Sequence, residues 1–349
     1  MVVMDTRFPA PDASTHRYRD QVAALVRALF AVPGGGSSTA LADAQLALYT
    51  LDGISEVLEW NNDGVHADEL ACIWLAYTRW LRTGGTLISD AVPFAPPRPL
   101  DNTAVMRSRR STDAATLTIL NGGEMQLVGK APITTNDSAS AMLPVAMLGL
   151  LPVADERTVI SLAAKTATLT HDAEQARAAA VSCALLLRSL LGAQDAQESA
   201  LHTATLRVRD WLADTRDAAF THGAAEVLEA VDAALKCARQ PLTLQNLSAA
   251  FGSGLTASAQ LGATLTMVLH AEASLQKQEN TITEILSEIA EYDRALTGTT
   301  DYRMFALSTV LLAACHPASA TDDIEVLPEA LPALDLILSN WLAQIGSPQ

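Results

Sequence analysis

The stretch that most limits what this chain can fold into is RAAAVSCALLLRSLL, residues 177–191. From Asp172 on, Ala176, Ala179, Ala180, Cys183, Ala184, Leu187 and Leu190 recur at helical spacing, which predicts a helix with one face built for burial. Small side chains on that face let neighbouring helices come close. Thr170 is placed to cap its N-terminus, and Asp172 and Glu174 put negative charge in the first turn, where the helix dipole favours it. Residues 157–168 also read as a helix, and Met142-Leu143-Pro144 starts a third after a polar, turn-rich lead-in. Aromatic residues are only 5% of a chain that is 49% hydrophobic, again the signature of helices packed through small residues. Strand-like alternation is confined to 116–120 and 126–128. The expectation is an all-α fold.

Helical periodicity recurs along the whole chain. Residues 1–14 read as a flexible arm and 15–349 as one large helical domain. Helices are expected over 16–32, 40–60 and 67–82, with a flexible stop at Pro33-Gly34-Gly35-Gly36-Ser37-Ser38. Trp74, Tyr77 and Trp80 form a core stripe on the third. Prolines 93, 96, 97 and 99 and the basic cluster Arg107-Ser108-Arg109-Arg110 mark residues 83–135 as an irregular insertion. Further helices follow over 198–212, 224–238, 256–273, 281–295, 305–315 and 327–345.

Composition narrows the function. A net charge of −16 argues against nucleic-acid binding through a basic surface and would steer a basic protein partner. Cys72, Cys183, Cys237 and Cys315 lie far apart in apolar runs, which predicts reduced, buried thiols and no zinc site. The N-terminal MVVMDTRFPAPDAS lacks the pattern of a secretory leader, and no run is apolar enough to span a membrane, so a cytoplasmic location is expected.

Two motifs carry a resemblance. Asn136-Asp137-Ser138-Ala139-Ser140-Ala141-Met142 is a small-residue loop before an apolar helix, and Thr170-His171-Asp172-Ala173-Glu174-Gln175-Ala176 opens the next long one. This layout resembles the ADP-ribosylglycohydrolases, an all-helical family that removes ADP-ribose from modified residues. Leu143 stands where that family has an Arg after the Met. The resemblance implies a single orthogonal helical domain and ligand contacts from Asn136, Asp137, Ser138, Met142 and His171.

It also implies two Mg²⁺ ions held between acids from opposite ends of the chain. The first acidic run falls on Leu41-Ala42-Asp43-Ala44 and the second on Gly298-Thr299-Thr300-Asp301-Tyr302, so Asp43 and Asp301 are the metal-ligand candidates. A third acidic motif falls on Ala31-Val32-Pro33-Gly34-Gly35, which has no acid. Paired hard cations need several oxygen ligands, so the expected cofactor is none or a weakly held Mg²⁺. His171 titrates near neutrality in principle but reads as a structural donor at a helix start, and no catalytic residue is assigned. The function this supports is that of a pseudoenzyme, binding an ADP-ribosylated ligand or a partner ADP-ribosyltransferase in an immunity or regulatory role. The alternative is an active Mg²⁺-dependent hydrolase with a rearranged ligand set.

Overall fold

The computed structural model describes residues 7–32, 41–85, 88–108, 113–130, 136–152, 154–193, 199–217 and 219–346. Within them the architecture is helical throughout. The only extended pairing is one antiparallel bridge between Ala31 and Val326. Helix α1 (His16–Ala28) is capped by the Thr15 hydroxyl, α2 (Leu41–Asn62) runs twenty-two residues, and α3 (Glu69–Thr83) is capped by Asp68. Two short helices, α4 (Ala104–Arg107) and α5 (Ala114–Asn121), lie in the segment expected to be irregular. Residues 116–120 are therefore helical rather than extended, because the Asp113 carboxylate caps the turn at the Ala115 amide.

The central group is α6 (Met142–Ala146), α7 (Glu156–Thr168) and α8 (Glu174–Leu191). Then come α9 (Ala200–Asp214), α10 (Thr221–Cys237), α11 (Leu244–Phe251), α12 (Ala257–Gln276) and α13 (Ile282–Thr297). The chain closes with α14 (Arg303–Cys315), α15 (Pro317–Asp323) and α16 (Leu331–Ile345).

Helix α8 is the hub, packed by α6, α7, α9, α10, α12 and α14. Burial extends right round it from Ala176 to Leu191, not along one face alone. Alanine on every side makes this possible. At Gly149 an added Cβ would lie 2.3 Å from the Ala184 carbonyl oxygen, so the segment after α6 needs glycine to approach α8. Two arginines of α8 are buried and act as clips. Arg188 donates to the carbonyls of Phe8, Leu151 and Ala154 at 3.0, 2.9 and 2.6 Å, and Arg177 to those of Asp172 and Ala219. Phe8 is thereby held fully buried, so the arm expected over 1–14 is docked from residue 7; residues 1–6 lie outside the described residues.

Three helices are capped by carboxylates from elsewhere in the chain. Glu174 accepts from the His222 and Gly223 amides at the start of α10, and Glu272 of α12 from the Leu201 amide of α9. Asp293 of α13 accepts from the Phe305 amide of α14 at 2.9 Å. Thr170, expected to cap α8, does not: the helix begins at Glu174, and Thr170 is buried against His171 instead. All four cysteines are free, and only Cys183 is fully buried. Among the described residues no helix is long and apolar enough to cross a membrane.

Candidate functional site

Asp43 sits in the first turn of α2, and Asp301 lies two residues before α14. The fold brings these distant acids together, and Arg303 stands between them. Its Nε donates to Asp43 Oδ2 at 2.9 Å and its Nη1 to Asp301 Oδ2 at 3.1 Å. Side-chain exposure falls from 31% at Asp301 through 19% at Arg303 to 7% at Asp43, so the trio runs inward from the surface. Burial pushes the Asp43 carboxyl up, and the Arg303 guanidinium is the chief force opposing that rise. Burial works against the charge of Arg303 as well, but Asp43, Asp301 and Asp113 outweigh it and hold its pKa above the ordinary value.

Arg303 is anchored by the backbone around it. Tyr302 adopts the left-handed conformation (φ 51°), and its side chain supplies no cap to α14. The Asp293 carboxylate supplies it, which fixes the helix start and so the root of Arg303. Burial raises the Asp293 pKa to about 6 against the pull of the Phe305 and Met304 amides.

The crevice beside the trio is lined by Asp43, Ala139, Met142, Leu143, Arg303 and Leu307, and its volume is about 10 Å³. That is roughly the space of one water molecule, far below the several hundred Å³ of ordinary ligand pockets. Met142 and Leu143 are core residues here. A guanidinium does enter the crevice, but from α14 rather than from position 143.

The remaining expected contacts gather round Asp113, which the sequence reading did not single out. Its Oδ2 accepts from the Asn136 amide and from Ser138 Oγ at 2.6 Å, with His171 Nε2 at 3.5 Å. Partial burial works against its charge, but these partners and the Ala115 amide outweigh it and hold Asp113 well below the usual carboxylate range. His171 Nε2 lies 3.0 Å from Ser138 Oγ, and its Nδ1 lies 2.9 Å from Thr170 Oγ1. Ser138 has one proton and gives it to Asp113, so the serine is not primed by the imidazole as a nucleophile would be. Asp137 turns away: its carboxylate accepts from Gln175 and its carbonyl from the Ala257 amide at 2.8 Å. The charges of His171 and Asp113 both bear on Asp43, so the two groups form one electrostatic unit.

A pair of Mg²⁺ ions does not fit the groups present. Two carboxylates are too few oxygen ligands for two hard cations, and both already share a guanidinium. Asp52 and Glu56, the nearest acids further along α2, pair with Arg79 instead. Among the described residues no three His, Cys, Asp or Glu side chains gather so as to hold a metal ion. The early motif at Ala31-Val32-Pro33-Gly34-Gly35 lies outside the described residues from position 33 on. A groove of about 780 Å³ lies between α3, residues 125–128 and α7, and no residue of the crevice or the Asp113 group lines it.

The molecule is thus an all-helical protein with an acid–arginine crevice where α2 and α14 meet. The sequence profile of the ADP-ribosylglycohydrolases matches residues 12–299, and the chain belongs to that family. A comparison with curated proteins gives no match.

Proposed function

We propose that this member of the ADP-ribosylglycohydrolase family is a pseudoenzyme that acts by binding. Its target is an ADP-ribosylated ligand or a partner ADP-ribosyltransferase, in an immunity or regulatory role. The observation that carries the reading is Arg303, seated between Asp43 and Asp301 in a crevice of about 10 Å³. A guanidinium offers charge and hydrogen-bond donors, but it has no open coordination position and cannot activate a water as a bound cation does. On this reading Mg²⁺ binds weakly or not at all, and the protein works in the cytoplasm without contacting nucleic acid or membrane. Its charge of −16 suits a basic protein partner, and the N-terminal arm and the 83–135 insertion are the surfaces that would meet it.

One observation favours the alternative of an active hydrolase: Asp113 is held ionised beside His171 and Ser138. The discriminating experiment is Mg²⁺-dependent release of ADP-ribose from a protein ADP-ribosylated on arginine. The expected result is no release at high concentrations of folded protein. Release that disappears in Asp43→Ala plus Asp301→Ala, with circular dichroism unchanged, would overturn the pseudoenzyme reading.

A further inference from the structure

A second pocket, about 370 Å³, opens between the C-terminal half of α3 and the segment leading into α4. Arg79, Arg82, Phe94, Asp101 and Arg107 line it, and none of them lines the crevice. Three features of its wall remain unaccounted for by the fold.

The first is Phe94. Its side chain is 75% exposed, against 53% for Leu255, the next most exposed large hydrophobic among the described residues. The ring is not at the tip of a loose loop. Val92 and Ala95 on either side are buried, and Arg82 Nη2 donates to the carbonyls of Val92 and Pro93 at 2.7 and 3.2 Å. A well-fastened backbone therefore holds an aromatic face out at the pocket rim.

The second is a pair of orphaned donors. The Nε–H groups of Arg79 and Arg82 are both buried and lack a hydrogen-bond acceptor. Asp101 comes no nearer than 3.7 Å to Arg79 Nε, and its own oxygens are engaged by Tyr49 Oη and the Arg98 amide. Buried guanidinium donors without an acceptor are rare and ordinarily answered by water or an anion. The third is charge. Arg79 is paired with Asp52 and Glu56, but Arg82 and Arg107 have no carboxylate partner among the described residues of a strongly acidic chain.

We propose that this pocket binds a nucleoside phosphate. The base stacks on the Phe94 ring, and the phosphate accepts from the Nη1 groups of Arg82 and Arg107, whose Nη2 atoms are held by the Val92 and Pro93 carbonyls and by Asn102 Oδ1. The volume lies in the range of small-ligand sites, roughly 300–1,000 Å³. The inference is independent of the reading of the crevice, because the two places share no lining residue.

Isothermal titration of the full chain with ADP, adenosine and inorganic pyrophosphate tests it. Saturable ADP binding is expected, with adenosine and pyrophosphate each weaker than ADP. Phe94→Ala should weaken ADP about tenfold and leave pyrophosphate nearly unchanged. Arg107→Gln should weaken both. Both substitutions are at exposed positions, so the fold should survive, and circular dichroism checks it. No saturable ADP binding, or ADP binding that neither substitution alters, would overturn the inference and leave the reading of the crevice untouched.

Discussion

Helix α2 carries two buried carboxylates in arginine clusters, and they are built differently. Asp52, in mid-helix, takes Arg79 on one side and the Arg98 Nε at 3.1 Å on the other, while Arg98 reaches on to Glu59 at 2.8 Å. Every charge there has a partner, and the cluster joins α2 to α3 and to the residues before α4. Asp43, at the N-terminal end, has one arginine, shared with Asp301, and lies beside a crevice and the Asp113 group. The first cluster is a closed structural joint. The second is a small crevice with a guanidinium seated in its wall, and the contrast teaches that burial and pairing alone do not mark a site; its neighbours do.

The largest expected effect separates the two clusters by stability. Arg79→Ala breaks the buried Arg79–Asp52 pair, leaving Asp52 to Arg98 alone and Glu56 without its arginine, and should cost about 3–5 kcal/mol in urea unfolding. Arg303→Ala should cost less, about 1–3 kcal/mol, because Arg303 itself is 19% exposed against 3% for Arg79 and Asp301 is partly solvated, although Asp43 loses its one arginine. Equal losses would break the comparison.

A pH dependence sharpens it further. The folded pKa of Asp293 is raised from 3.8 to about 6. A raised folded pKa means the folded state holds the proton more tightly. The stabilisation is thus complete below about pH 4 and lost as pH rises through 6, amounting to about 3 kcal/mol from this group. Asp293→Asn should flatten that part of a stability–pH curve measured by denaturant titration.

The smallest effect belongs to the Asp113 group. Ser138→Ala removes one hydrogen bond to a half-buried carboxylate and should cost about 1 kcal/mol at neutral pH. Asp113 is depressed, so its stabilisation is present above the ordinary carboxylate range and lost as the solution is acidified through and below it. Ser138→Ala should therefore lose its penalty in acid, which thermal melts across that range would reveal.

The helical fold was legible because it is written in local periodicity. The 157–168 reading meets α7 at Glu156–Thr168 almost residue for residue. What local rules miss are contacts that cross the chain. Asp293 and Glu272 cap helices from other helices, and no scan of flanking residues finds them. Asp113 lies in the 83–135 segment, where prolines and a basic cluster interrupt the periodicity, and no local apolar pattern announces its cap at Ala115. The partnership of Arg303 with Asp43 spans 260 residues. The periodicity places the start of that helix at 305, so only the structure shows Arg303 at its first position, where a cation opposes the dipole and is met by the two carboxylates.

The most direct test of the guanidinium's place is Mg²⁺ titration of the wild type and Arg303→Ala by calorimetry, alongside their thermal stability. The account predicts no saturable Mg²⁺ binding to the wild type, and a variant whose stranded acids gain stability as Mg²⁺ is raised. Saturable binding to the wild type that Asp43→Asn abolishes would contradict it.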